Sequence, residues 1–357
     1  MDFKRINLVY LSISLLLLIN FSCKKDPEVE QPNFNKGTLL SNLADNFIIT
    51  SFNELESDFN SLESSFLSLQ SNPNQSNLDD LRDQWRSSYL TWQTVKIFDF
   101  GPLRELAFKG GAGTYPTDTN KVNTNITNGN YNLGSVDNAD AIGFSALDYL
   151  LFRTNALIDI QNNSNYTQYI FDVIEKMKNE FMQVNSQWST YKSTFIASTG
   201  TETTSGFSLL INEYNRDYEL AKKAKLGIPL GVQSLGIPLP EYIEARYSGI
   251  SLVLLKESIL ALRNVYLGDE GSTTGQGFHD YLIHLERSNL ASTIENTFNQ
   301  ILNKIDTFSG TLETEISNNS SELNELYDLI QGQVVNIKTD MTSAFGVLIT
   351  YQDNDGD

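Results

Sequence analysis

Residues able to do acid–base or metal chemistry are few in this sequence. Among its 357 residues are two histidines, His279 and His284, and one cysteine, Cys23. The histidines are five positions apart, so they point to different sides of a helix and do not form a metal-binding pair. The His-Glu-x-x-His pattern of zinc proteases is absent from the sequence. We therefore interpret both histidines as ordinary surface or half-buried side chains.

Ser145 and Asp148 are the next candidates, because residues three apart share one face of a helix. They could bind a ligand, a hard cation or a polar group of a partner. Alternatively, they belong to a helix N-terminal turn, where serine caps and aspartate complements the macrodipole. A nucleophilic role for Ser145 is not favoured, because the Gly-x-Ser-x-Gly elbow and an obvious histidine base are missing. The only cofactor indicated is a divalent cation, with Asp148 as its ligand.

Cys23 occupies a position typical of lipid attachment. Lys4 and Arg5 precede a mostly apolar run over 6–21, and Ser22 places a small residue before the cysteine. The run suits a signal peptide better than a membrane span. We predict a signal peptide over 1–22, a lipid on Cys23 and a charged, proline-containing tether over 23–37. An ordinary signal peptide or anchor helix is the alternative.

Lipid attachment would place the protein in the cell envelope, on the periplasmic face or the outer surface of the outer membrane. The membrane is then one partner, reached through the lipid. The formal net charge of −19 disfavours nucleic acid and anionic lipid as partners, since both would be repelled. The residues after the signal peptide are numerous enough for one large core or two medium domains.

Most of the chain after the tether shows apolar residues at helical spacing, including 242–267, and no stretch alternates as a strand does. We predict an all-α fold of two antiparallel helical-bundle halves with a site at their junction. The predicted segments are an N-terminal half over 38–225 with a long loop over 109–138, a Gly- and Pro-rich connector over 226–240, a C-terminal half over 241–350 and an acidic tail over 351–357. Gly143-Phe144 and Gly277-Phe278, each followed by Asp-Tyr-Leu, indicate an internal duplication or a chance similarity.

Four stretches together resemble the imelysin family, in matching order over about residues 38 to 350. They are Trp85-Arg86 with Trp92 and Phe100-Gly101-Pro102, then Tyr115-Pro116-Thr117-Asp118, Gly143-Phe144-Ser145-Ala146-Leu147-Asp148, and Glu244-Ala245-Arg246-Tyr247-Ser248-Gly249-Ile250-Ser251. The resemblance implies an all-helical fold of two halves with a site between them, residence in the bacterial envelope, a tie to iron uptake and a peptidase label.

The sequence departs from the family at the motif Gly-x-His-x-x-Glu, where the histidine falls on Ser145 and the glutamate on Asp148. A hydroxyl is a poor ligand for zinc or ferrous iron. We expect Ser145, Asp148, Arg246, Tyr115 and Asp118 to converge in one ligand site. Arg246 would pair there with Asp148 or Asp118, or hold an anionic ligand bidentately.

Three hypotheses for the function follow. The first is a non-catalytic ligand- or metal-binding accessory protein of the envelope, linked to iron uptake and to envelope uptake proteins as partners. The second is a metallopeptidase, as the family's label implies. The third is a structural or adaptor lipoprotein whose degenerate site only packs. Metal content and peptide cleavage would separate them.

Overall fold

The first helices form a long antiparallel pair. The computed structural model describes residues 34–270 and 273–351; the predicted signal peptide, Cys23 and most of the predicted tether and tail lie outside these ranges. Helix α1 (Lys36–Asn42) continues through a π-helical turn (Leu43–Ile48) into α2 (Ile49–Ser71), and α3 (Gln75–Val95) packs along α2. The apolar stripe of α2 is buried along its whole length, as its helical spacing predicts.

The segment 109–138 is more ordered than predicted. A 3₁₀ turn (Lys96–Phe98) leads to α4 (Pro102–Glu105), α5 (Phe108–Gly113), α6 (Thr119–Asn128) and a second 3₁₀ turn (Val136–Asn138). The prediction of a long loop is therefore wrong over α6. Its asparagines and threonines have low helix propensity and dilute the periodic signal, while buried Val122 and Ile126 still hold it against the core.

The middle of the chain contains α7 (Gly143–Phe152), α8 (Ala156–Asn162), the 34-residue α9 (Ser164–Ala197) and α10 (Gly206–Leu220). Helix α10 continues through a π-helical turn (Ala221–Gly227) into α11 (Ile228–Leu230). Gly231 then turns the chain with a φ of 85°, where a side chain would collide with the backbone of Ile237.

The C-terminal part begins with a 3₁₀ turn (Pro240–Tyr242) and continues with α12 (Ser251–Leu267), a hairpin of two-residue strands (Asp269–Glu270 and Thr273–Thr274), α13 (Phe278–His284), α14 (Ser288–Ile305), α15 (Leu312–Asn318), α16 (Ser320–Val334), a π-helical turn (Val335–Met341) and α17 (Thr342–Ala344). The helix predicted over 242–267 begins only at Ser251. Ala245 and Gly249 adopt left-handed backbone conformations that interrupt a helix.

The predicted all-α class is confirmed. From Asn35 onward the chain forms one compact unit, and the boundary between two halves at 226–240 stays a prediction. Among the helices of the described ranges, none is both long and apolar enough to cross a membrane.

The two glycine–phenylalanine stretches occupy similar structural positions. Each begins a short helix, α7 or α13, and both Phe144 and Phe278 are completely buried. A side chain at Gly143 or Gly277 would come within 2.5 Å of backbone atoms of another segment. These positions are consistent with a duplication, which itself stays a prediction.

Candidate functional site

Asp148 joins α7 to the irregular segment before α12. Its side chain lies on α7 with only 2% of the residue exposed. The Tyr247 N–H donates to Oδ2 at 2.9 Å, and the Ser248 N–H donates to Oδ1 at 2.9 Å. Both carboxylate oxygens therefore hold the backbone of a segment about 100 positions away, in the turn that keeps 243–250 from being helical.

Burial shifts the ionisation of this carboxyl. It raises the pKa of Asp148 from 3.8 to about 6, although the hydrogen bonds from Ser248 and Tyr247 act in the opposite direction. The negative charge of Glu244 adds a smaller upward shift. The carboxylate is the form that accepts both amides, but burial makes its charge costly, so the folded protein favours the protonated carboxyl below a pH of about 6.

A cavity of about 310 Å³ lies beside this tie. We call it the motif cavity; it is lined by Pro116, Thr117, Thr119, Ser145, Asp148, Glu241, Ile243, Arg246 and Tyr247. Ser145, one helical turn before Asp148, is 7% exposed. The lining is mostly polar and mixes hydroxyls, carboxylates and one guanidinium, so it suits a small polar ligand.

Arg246 lines the motif cavity but does not make the predicted ion pair. Its guanidinium donates to both carboxylate oxygens of Glu313, at 3.2 and 2.7 Å, and 37% of its side chain is exposed. The prediction that Arg246 pairs with Asp148 or Asp118 is therefore wrong. Backbone amides already satisfy Asp148, and Arg246 is exposed enough to pair at the surface.

Asp118 acts as a helix cap. Its Oδ1 accepts the N–H groups of Asn120 and Lys121 at 2.9 and 3.0 Å, at the N-terminus of α6. The residue lines neither this cavity nor the one containing Tyr115. Its carboxylate therefore caps the first turn of α6, a helix that the sequence analysis does not predict.

Whereas Pro116 lines the motif cavity, its neighbour Tyr115 lines a second cavity. This lysine cavity, about 240 Å³ in volume, is lined by Trp92, Lys96, Lys109, Gly113, Thr114, Tyr115, Asp217, Leu220, Ala224, Lys225 and Glu244. Burial raises the pKa of the Tyr115 phenol well above its usual value, and the charges of Glu244 and Asp217 add to the rise. Tyr115 therefore stays protonated at neutral pH.

Glu244 lines the lysine cavity, and its charge also acts on Asp148 in the motif cavity. The sequence analysis does not predict it as a site residue. It is 3% exposed, accepts a 2.8 Å hydrogen bond from the Tyr89 hydroxyl and forms a buried ion pair with Lys225. The signal was present, because Glu244 opens the fourth stretch that resembles the imelysin family.

Aromatic residues of α3 pack against α7 and hydrogen-bond to it. The Tyr89 ring stacks on Phe144 with centroids 4.5 Å apart and planes at 7°. The Trp85 indole N–H donates to the Phe144 carbonyl at 3.1 Å. Trp85 and Trp92 are both buried, so they pack the core that positions Ser145 and Asp148.

Few residues here could hold a metal. Within 34–270 and 273–351, no three His, Cys, Asp or Glu side chains are grouped so that they could bind one ion. Asp148 could supply one carboxylate, but each oxygen already accepts an N–H. His279 lies on α13, 3.9 Å from Glu295. A divalent cation at Asp148 stays a prediction, as does the ligand site as a whole.

Parts of the four stretches that carry the resemblance meet at α7: Trp85 donates to Phe144, Pro116 lines the motif cavity with Ser145, and Tyr247 donates to Asp148. Phe100 instead packs on Trp188 and Phe195 of α9. Within its described residues, the structure defines a protein that is helical apart from one hairpin of two-residue strands. Residues of α7 and of the segment before α12 line the motif cavity, whereas α5, α10 and the π-helical turn after α10 supply most of the lysine cavity. The sequence model of the imelysin family (Peptidase_M75) matches residues 48–335. The chain belongs to the imelysin family.

Two solved structures share this fold. One is a "putative iron-regulated protein A precursor" from Parabacteroides distasonis ATCC 8503, with a TM-score of 0.76 and 14% identity. The other is an imelysin-like protein from Psychrobacter arcticum 273-4, with a TM-score of 0.72 and 17% identity. Each comparison covers 89% of this chain and 97% of the other. No curated protein matches the chain in sequence.

Proposed function

We propose that this protein is a non-catalytic binding protein of the cell envelope, which holds a small polar ligand in the motif cavity. The observation that carries the proposal is the engagement of Asp148, whose two oxygens accept backbone N–H groups of Tyr247 and Ser248. At the position of the family's glutamate, this chain has a carboxylate used to hold the fold. At the position of the histidine, Ser145 supplies a neutral hydroxyl.

Metal-assisted peptide hydrolysis needs a metal held by several side chains and a water that the metal activates. Ser145 offers only a neutral hydroxyl, which is a weak metal ligand. Asp148 offers a carboxylate whose two oxygens already accept backbone N–H groups. The motif cavity nevertheless has a volume of about 310 Å³ and a mostly polar lining. These features favour a binding protein over a metallopeptidase. They also favour it over a structural adaptor, whose site would be filled by packing.

Native mass spectrometry of the protein purified from its own cells tests ligand binding. We expect a bound small molecule in the wild type that survives a chelator and disappears in Ser145→Phe, which fills the cavity. Ser317→Phe, on the exposed face of α15, is the control and should keep the ligand. A wild type without bound mass, or a ligand that persists in Ser145→Phe, would overturn the proposal.

Peptide cleavage tests the non-catalytic part. We expect no hydrolysis of a mixed peptide library with added zinc or ferrous iron. Cleavage that stops with a chelator and in Asp148→Asn would instead support a metallopeptidase.

We further propose that the protein is lipid-anchored through Cys23 and works with envelope uptake proteins in iron acquisition. The support is the signal-like N-terminus together with the fold, which is shared with a protein described as a "putative iron-regulated protein A precursor". The protein should become more abundant in its native cells when iron is withheld. Unchanged abundance in iron-depleted and iron-replete cultures would contradict this link.

A further inference from the structure

The lysine cavity contains more positive than negative groups, although the whole chain is strongly acidic. Three lysines, Lys96, Lys109 and Lys225, line it together with two carboxylates, Asp217 and Glu244. The lining therefore has one formal positive charge in excess, in a chain whose net charge is −19. An excess cation in a cavity with buried walls attracts an anion much more strongly than a surface lysine does.

The ion pairs show which lysine is least neutralised. Lys225 pairs with Glu244, and Lys96 donates to Asp217 at 2.6 Å and to Ser258 at 3.0 Å. Lys109 donates to the Lys96 carbonyl at 3.0 Å and lies 3.4 Å from the same Asp217. Two lysines thus share one carboxylate.

Glu213 also attracts Lys109, but Glu213 is already paired with Arg104. Lys109 keeps 19% of its side chain exposed. Its ammonium is therefore the lining cation best placed to take up an incoming anion.

The ionisation of the buried groups agrees with a crowded positive site. Burial lowers the pKa of Lys96 to about 8; Asp217 opposes the shift, while Lys225 and Lys109 add to it. Burial acts to raise the pKa of Asp217, yet Lys96 and Lys109 together hold it below its ordinary value. An added negative charge would relieve the repulsion among the three lysines.

Apart from the charged groups and the hydroxyls of Thr114 and Tyr115, the wall is apolar, and the space is small. Trp92, Leu220 and Ala224 line the cavity, and Leu220 is 39% exposed although it is a leucine. The π-helical turn Ala221–Gly227 carries Ala224 and Lys225, and such turns are frequent at functional sites. The volume of about 240 Å³ is below the range of about 300–1,000 Å³ found for drug-sized ligands.

We propose that the lysine cavity binds a small organic carboxylate. The carboxylate accepts hydrogen bonds from the Lys109 ammonium, and a short apolar part lies against Leu220 and Ala224. One excess positive charge matches a monoanion better than a phosphate dianion. This site is separate from the motif cavity, so it does not depend on the function proposed above.

Isothermal titration calorimetry with butyrate, butyramide and inorganic phosphate tests the proposal at constant ionic strength. Butyramide keeps the shape of butyrate without its charge. We expect butyrate to bind the wild type at least about tenfold more tightly than butyramide or phosphate. Equal affinities for butyrate and butyramide would overturn the proposal, and tighter binding of phosphate would contradict the ligand class.

Lys109→Gln should weaken butyrate binding about tenfold, while Asp217 keeps its partner Lys96. Lys178→Gln is the matched control, because Lys178 has a similarly exposed side chain and pairs with Glu63 at 2.6 Å, away from the lysine cavity. The control should bind butyrate as the wild type does. Ala224→Phe, which fills the cavity without a change of charge, should abolish binding even if Lys109→Gln fails to fold. Wild-type affinity in Ala224→Phe would show that butyrate binds elsewhere.

Discussion

The Asp148 carboxylate accepts the N–H of Tyr247 at 2.9 Å, and so joins two segments 99 positions apart in the chain. The neighbouring N–H of Ser248 donates to the other carboxylate oxygen of Asp148. This contact makes the motif acid a part of the fold, and the first prediction concerns its contribution to stability.

Asp148→Ala should lower the free energy of unfolding by about 2 kcal/mol, because two partly buried N–H groups lose their acceptors. Denaturant unfolding followed by circular dichroism measures the change. Asp306→Ala is the control: Asp306 forms an exposed ion pair with Lys256, and its loss should change stability by less than about 0.5 kcal/mol. Equal effects of the two substitutions would show that Asp148 does not tie the segments together.

The second prediction concerns pH. The pKa of Asp148 in the folded protein, about 6, lies above its ordinary value of 3.8, so the folded state binds this proton more tightly than the unfolded chain. The stabilisation is complete below pH of about 4 and is lost as the pH rises through about 6. Relative to Asp148→Asn, which does not titrate, the wild type should lose about 1–3 kcal/mol between pH 4 and 7. A difference that stays constant with pH would contradict the raised pKa.

The sequence predicted the fold better than the details of the site. Long amphipathic helices such as α2 carry a periodic signal that survives individual exceptions. Helix α6 was missed because asparagine and threonine hide its apolar positions.

The sequence predicts a site residue only where the residue type itself belongs to a recognisable motif. Ser145 and Asp148 were found from their motif, but the partners of Asp148 are backbone amides, which leave no mark on residue type. The lysine cavity was missed altogether, since Lys96, Lys109 and Lys225 are scattered along the chain and only tertiary packing assembles them.

The third prediction concerns the missing histidine. Ser145→His should raise the affinity for zinc at least about tenfold, because an imidazole would stand one helical turn from a carboxylate. Isothermal titration calorimetry of the variant and the wild type measures the gain. The double substitution Ser145→His with Asp148→Asn is the control and should lose it. An unchanged affinity in Ser145→His would show that Asp148 cannot leave its backbone partners to share a metal.

The fourth prediction concerns the anchor. Cys23→Ala should move the protein from the membrane fraction to the soluble fraction, because Cys23 is the only cysteine available for a lipid. Immunoblots of fractionated cells measure the distribution. Ser22→Ala, which keeps a small residue before the cysteine, should remain with the membranes. If Cys23→Ala still sediments with membranes after a high-salt wash, the anchor lies elsewhere.

Titration of the wild-type protein with zinc and ferrous iron at neutral pH tests the central claim most directly. If Asp148 serves the fold and Ser145 is a neutral hydroxyl, calorimetry should show no one-to-one binding tighter than about 1 μM. Tight stoichiometric binding that disappears in Asp148→Asn would show that the motif acid still holds a metal, and would contradict the account.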